Sequence, residues 1–373
     1  MKLAIVRQKY RPDGGAERFV SRALDALSNH KVLDVSVITR SWEGSEQANR
    51  NIIICNPRIT GRIQRERAFA NAAQQHFAEF DLVQSHERIP GCHIYRAGDG
   101  VHQSWLTQRS RILSPVQRKF LWWSGFHRYI LAQEQAMYQH PALKAVICNS
   151  QMVADEIRHY FSVPAEKIHL IYNGVNTSTF TPGLKATYRC AVRQQFGIAD
   201  NVPVMLFVGS GFERKGLAGA IHAINISSRH SPHLIVVGKD KHRRHYQKLA
   251  RQLRVADRVH FMGMQPDTRP YYGAADMLLL PTLYDPFPNV VLEAMASGLG
   301  VITSQQCGGK EFIQPGKNGF VCDALDYAAL RQAVIQSCDG DFTEMGNCAR
   351  EQVGKYDLDF LSENMLNLYQ QLI

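Results

Sequence analysis

Short apolar runs alternate with helical periodicity along the whole chain, and this alternation limits the fold more than any other feature of the sequence. Candidate strands are LAIV at 3–6, DVSVIT at 34–39, DLVQ at 81–84, AVICN at 145–149 and HLIY at 169–172. A second series follows: VMLFVG at 204–209, HLIVVG at 233–238, VHFMG at 259–263, MLLLP at 277–281 and GVITS at 300–304. Many are rich in Val, Ile and Leu without strict alternation, as in parallel strands covered by helices on both faces. Between them, sets such as Phe19, Val20, Ala23, Leu24 and Leu27 share one helical face. The expected class is therefore α/β. At 373 residues the chain is long for one domain and suits two. Residues 173–203 carry Gly, Pro, Asn and Thr at both ends and read as a linker between two Rossmann-like halves. The halves are expected to face each other across a cleft, with chemistry in the strand-to-helix loops. The spans expected are 1–177 and 178–354. Leu361, Met365, Leu368 and Leu372 mark a final helix, expected to pack back on the first half over 355–373.

Four loops carry candidate chemistry. RPDGGAER follows the first strand. Gly14 and Gly15 lack Cβ atoms where a ligand can approach backbone, and a following helix N-terminus favours an anion. A tight turn explains the pair equally well, and without GxGxxG a nicotinamide or flavin is not supported. VGSGFERKG at 208–216 offers Gly209, Gly211 and Gly216 beside Arg214 and Lys215, cations able to clamp a diphosphate. A solvated basic pair is the plainer alternative. PTLYDPFPNVVLEAMASG places Asp285 in a proline-held loop and Glu293 in a helix ending at Gly298, where both can bind sugar hydroxyls. A capping acid and a surface acid are the alternative. SHERIPGCHIYRAGDGVH groups His86, Glu87, Arg96, Asp99 and His102 near strand ends; Asp99 can serve an acceptor hydroxyl as base or orienter, or simply form a turn with its glycines. Gly308, Gly309 and Glu311 form a further glycine turn with an acid. Asp339-Gly340-Asp341 is DxD-like but follows no strand, so it reads as a turn and no metal is assigned. The eight cysteines lack zinc spacing and read as buried free thiols in a reducing cytoplasm.

Forty-three Lys and Arg against 33 Asp and Glu leave a net charge of +10, which calls for anionic company. Part of that excess is concentrated. No Asp or Glu occurs from Gly100 to Gln133, where Arg109, Arg111, Arg118, Lys119 and Arg128 interleave with Trp105, Trp122, Trp123 and other apolar residues. Leu113, Val116, Phe120, Trp123 and Ile130 share a helical stripe. Such a stripe suits an anionic membrane surface, and a core helix with solvated arginines is the alternative. A nucleic-acid partner is not expected, since no binding motif accompanies the basic residues. No run of about 20 apolar residues is present to span a bilayer.

Taken together, the GG loop, YNGV at 172–175, the Arg-Lys-Gly loop, the acid-x7-acid loop and the following GG…E…NG segment resemble glycosyltransferase family 4 over residues 14 to 319. LAIVRQKYRPDGGAERF and SWEG at 41–44 look closer still to bacterial lipopolysaccharide core glycosyltransferases of the glucosyltransferase I and galacturonosyltransferase type. The resemblance implies a GT-B fold, a UDP-sugar donor, retention of configuration and no metal or other cofactor. It implies donor contacts from Gly14, Gly15, Gly209, Asn289 and Val290, with Glu293 on the ribose and Asp285 on the sugar hydroxyls. Asp285 stands where the family usually has Glu. It further implies Arg214 and Lys215 on the diphosphate, Asp99 near the reaction centre, and an inner-core heptose as acceptor. The basic-aromatic segment, through Trp105, Arg109, Arg111, Arg118, Lys119, Trp122 and Trp123, falls where the core enzymes meet the cytoplasmic face of the inner membrane. Two alternatives remain open at this point: the same fold acting on another polysaccharide or glycolipid, and a basic membrane-binding protein without catalysis.

Overall fold

The computed structural model describes residues 1–10, 34–42, 51–226 and 231–372. They form two compact units, one of Met1–Asn173 with Leu358–Ile373 and one of Gly174–Asp357.

The first unit holds a seven-stranded parallel sheet. Its strands are β1 (Lys2–Val6), β2 (Asp34–Thr39), β3 (Asn51–Ile54), β4 (Leu82–Ser85), β5 (Ile94–Arg96), β6 (Ala145–Cys148) and β7 (Ile168–Leu170). They lie in the order β3-β2-β1-β4-β5-β6-β7, all pairs parallel. Alternate residues explain the unbroken apolar runs. Ala4, Val6, Val146 and Cys148 pack into one buried cluster with Phe69 and Ala73 of the helix Arg62–Gln74. Leu3, Ile5, Ala145 and Ile147 pack into another with Leu361, Met365, Leu368 and Tyr369. Those four belong to the last helix, Leu358–Gln371. Each such apolar side chain, when fully buried, contributes about 1.5–3 kcal/mol, so the helix is an integral wall of the first unit.

The second unit repeats the plan with β8 (Val204–Val208), β9 (His233–Val237), β10 (Val259–Gly263), β11 (Met277–Leu280), β12 (Gly300–Ser304) and β13 (Gly319–Cys322). The order is β10-β9-β8-β11-β12-β13, again all parallel. In both sheets the chain runs outward from a central strand, returns, and continues on the other side, as in the dinucleotide-binding arrangement.

Three sequence expectations change. Residues 173–203 are not a linker. They contain the helix Leu184–Gln195, whose Arg193 is 2% exposed and bonds Asp276 through Nη2 at 2.7 Å. The division between the units falls at the start of this segment, between Asn173 and Gly174, and the rest of it belongs to the second unit. The stripe from Leu113 to Ile130 is not one helix either. Pro115–Trp123 opens with a capping box of Ser114 and Gln117, and Ser124 ends it and caps Gly125–Tyr138. Finally, Cys190 is exposed and Cys322 and Cys348 are half-buried, so burial holds for Cys55, Cys92, Cys148, Cys307 and Cys338 only.

Candidate active site

The loop after β8 begins with Gly209 at φ 152° and closes at Gly216 with φ 76°. A Cβ at Gly216 would stand 1.8 Å from the Pro281 carbonyl oxygen, so only glycine lets this loop lie against the end of β11. The close approach ties two loops together. Leu283 N–H and Thr282 Oγ1 both donate to the Arg214 carbonyl at 2.8 Å. Arg214 Nε donates to the Tyr284 carbonyl at 2.9 Å. Lys215 Nζ then reaches Asp285 Oδ2 at 2.5 Å, and Arg214 Nη2 lies 3.5 Å from the same oxygen.

Asp285 is 4% exposed. Its backbone exchanges bonds with Gln306 and Gly308 at 2.9 Å each, so the glycine turn at 308–309 helps hold the loop. Burial alone would raise its carboxyl pKa. Lys215 and Arg214 more than offset that and keep it below the usual carboxylate range. The arrangement presents an ionised carboxylate, a half-buried ammonium and a guanidinium with 41% of its side-chain surface open. Such a set can bind sugar hydroxyls and neutralise phosphate oxygens.

Pro286 and Pro288 lead into the helix Asn289–Ala296. Asn289 and Val290 open its first turn half-exposed, at the end where the backbone favours an anion. Glu293 is 8% exposed and accepts from Tyr272 Oη at 2.9 Å. Asp285 and Glu293 thus have separate hydrogen-bond partners. Tyr272 lies far from Glu293 in sequence, and no local pattern announces it.

In the first unit the expected cluster divides. His86 is buried, contacts Gln84 Nε2 at 3.0 Å, and has its pKa driven well down by burial, Arg96 and Arg7. Arg96 is also buried, donates to Asn173 Oδ1 at 2.6 Å, and is brought to about 9 chiefly by burial. Tyr369 of the last helix donates to Gln84 Oε1 at 2.7 Å. Asp99 stands apart with 48% of its side chain exposed; Arg7 Nη1 lies 4.0 Å from it and 3.5 Å from Glu87. His102 joins another network. Its ring meets His127 at 3.0 Å, and its backbone N–H donates to buried Glu134, the partner of Arg88. Arg7, Glu134 and Tyr369 come from distant segments, so sequence motifs miss them, whereas Arg88 sits within the quoted motif beside Glu87.

Other candidates take local duties or fall elsewhere. Asp341 caps the helix Phe342–Val353, accepting from Thr343 and Glu344. Among the described residues no group of three His, Cys, Asp or Glu side chains could hold a metal ion. Gly14 and Gly15 lie outside the described residues, as does the helical face from Phe19 to Leu27. In the basic segment, Val116, Phe120 and Trp123 are 64%, 68% and 71% exposed, with Arg111, Arg118 and Lys119 exposed beside them. Trp105, Arg109 and Trp122 are half-buried. No described helix is long and apolar enough to cross a membrane.

The family model described as Glycosyltransferase Family 4 matches residues 13–179, and that described as Glycosyl transferases group 1 matches 189–352. The lipopolysaccharide core biosynthesis glycosyltransferase LpsE of Rhizobium meliloti is 33% identical over 87% of this chain and 85% of its own. The chain belongs to the family 4 glycosyltransferases. Among these glycosyltransferases, the lipopolysaccharide glucosyltransferase WaaG of Escherichia coli is 29% identical over 90% of both chains. A solved structure of WaaG superposes with a TM-score of 0.82 at 25% identity, covering 98% of this chain and 99% of that one. The two parallel units are those of the GT-B fold.

Proposed function

We propose that this glycosyltransferase moves a hexose or hexuronic acid, with retention of configuration, from a UDP-sugar to a heptose of the lipopolysaccharide inner core. The observation that carries the donor reading is the joining of Arg214, Lys215 and Asp285 from the loops after two neighbouring strands, β8 and β11. Lys215 and the open guanidinium of Arg214 would neutralise the leaving diphosphate. Asp285, kept ionised, would accept from hydroxyls of the transferred sugar. Glu293, oriented by Tyr272, would hold the ribose, and the first turn at Asn289 and Val290 would face donor oxygens. Gly209, with Gly14 and Gly15, would leave room for the donor. Asp99 would orient the acceptor hydroxyl. That hydroxyl would attack on the face the diphosphate leaves, with a diphosphate oxygen taking its proton. No step in this scheme calls for a metal ion. The similarity to LpsE and WaaG supports the acceptor class.

The same reading puts the enzyme on the cytoplasmic face of the inner membrane. Val116, Phe120 and Trp123 recur at helical spacing on one exposed face beside Arg111, Arg118 and Lys119. Each cation near an anionic surface adds about 1 kcal/mol.

Incubation of the protein with UDP-sugars and a truncated core acceptor tests the reaction. UDP should be released, the product should keep the donor's anomeric configuration by NMR, and Lys215→Ala and Glu293→Ala should both lose turnover. Absence of turnover with every UDP-sugar, or full activity in both variants, would sink the proposal.

A further inference from the structure

We infer that the first unit carries a small diol pocket that receives the exocyclic two-carbon arm of the acceptor heptose and so distinguishes it from a hexose. The inference rests on the acceptor class proposed above and adds a recognition site to it. The pocket has a volume of about 40 Å³. One water needs about 10–15 Å³ of such space, so the pocket takes roughly three water-sized groups. That suits a CHOH–CH2OH arm and is too little for a pyranose ring.

Its lining matches that chemistry. Gln8, Glu66, Glu87 and Gln133 supply polar atoms, while Phe69 and Ala70, 1% and 9% exposed, supply an apolar side. Four separate segments bring these residues together: the chain after β1, the helix Arg62–Gln74, the loop after β4 and the helix Gly125–Tyr138. Gln8 fixes both carboxylates, its backbone N–H donating to Glu87 Oε1 at 3.0 Å and its side-chain amide donating to Glu66 Oε2. A carboxylate accepts about four hydrogen bonds, so each retains capacity for a hydroxyl donor. A sugar arm offers two O–H donors on one edge and C–H groups on the other. Arg88 also lines the pocket but is engaged by Glu134 at 2.7 Å, so the two carboxylates are left as hydrogen-bond acceptors for hydroxyl groups. Burial raises the Glu87 carboxyl, which Arg7 only partly reverses, so hydroxyl donors there would replace lost solvent.

The position also fits a single sugar. Arg7 Nη1 lies 3.5 Å from Glu87 and 4.0 Å from Asp99, so the pocket wall and the group proposed to serve the acceptor hydroxyl contact the same guanidinium nitrogen. A ring whose hydroxyl meets Asp99 can extend its arm past Arg7 toward Glu87.

The test compares kcat/KM of the full chain for two core oligosaccharides, one ending in heptose and the other in the hexose shortened by one carbinol. The wild type should prefer the heptose about tenfold or more, as expected when a site hydrogen-bonds a group that the analogue lacks. Ala70→Leu, which fills the pocket, and Gln133→Ala, which removes a polar wall, should bring the ratio toward one. They should do so by loss of heptose turnover, with hexose turnover and UDP-sugar affinity unchanged. Retention of the wild-type ratio in both variants would overturn the pocket alone. If Ala70→Leu does not fold, Gln133→Ala decides by the same ratio. Turnover on other glycolipids with neither core oligosaccharide accepted would overturn both the heptose reading and the pocket.

Discussion

The loops at the carboxyl ends of the two sheets are built on opposite plans. In the second unit, opposite charges are matched on a buried carboxylate: Asp285 is almost inaccessible, and Lys215 and Arg214 converge on one of its oxygens. In the first unit, Asp99 is half-exposed, with Arg7 Nη1 4.0 Å from it, and buried His86 has its pKa held well below its ordinary value. Under the proposed reading, a matched and rigid charge set suits a nucleotide diphosphate, the constant half of the reaction. An open, adjustable surface suits acceptors that differ from enzyme to enzyme.

The largest test of this contrast is activity. Lys215→Ala removes the cation and leaves Asp285 buried with only the more distant Arg214. It should cost about 10²–10³ in kcat, the scale of one lost electrostatic donor. Asp99→Asn should cost closer to tenfold, read from steady-state rates with saturating donor. Equal losses would break the contrast.

Acid stability should separate the groups next. His102 is lowered to about 3, and His86 is also well below its ordinary value. The unfolded chain takes up protons below about pH 6.5 that these folded residues refuse. Stability of the first unit should therefore fall as pH drops from about 6.5 toward 3. Asp285 has the usual carboxylate sign: its contribution is present above the unfolded pKa and is lost only as pH falls through its lower folded value. Melting curves from pH 7 to 4 should show a declining Tm, and His102→Gln should flatten the decline. An unchanged slope would remove the histidines from the account.

The smallest effect concerns the membrane face. Replacing Arg118, Lys119 and Trp123 together should reduce co-sedimentation with anionic vesicles several-fold while leaving UDP-sugar affinity intact. Wild type and variant binding neutral vesicles equally would assign that face elsewhere.

Much of the architecture was legible because parallel strands buried on both faces must be apolar at every position, as LAIV and VMLFV are. The strands without a clear signal break that rule. Asn51–Ile54 is a half-exposed edge, Ile94–Arg96 is three residues ending in a cation, and Gly319–Cys322 begins with glycine. Loop glycines and charges were legible as types. Their pairings were not: that Arg214 and Lys215 rest on Asp285, or that Tyr272 orients Glu293, depends on segments about 20 to 70 residues apart. The basic stripe misled because helical spacing runs through Ser124, where a cap, invisible to periodicity, restarts the helix.

The return of Leu358–Gln371 to the first unit has a consequence for how the protein is made. One face of the first sheet lacks Leu361, Met365, Leu368 and Tyr369 until everything from Gly174 to Asp357 has been synthesised. At about 5–20 residues per second, that interval lasts roughly 10–40 s. The second unit is complete in sequence before the first, so the half that begins the chain is the last to be sealed. During that interval the nascent protein carries an uncovered apolar face.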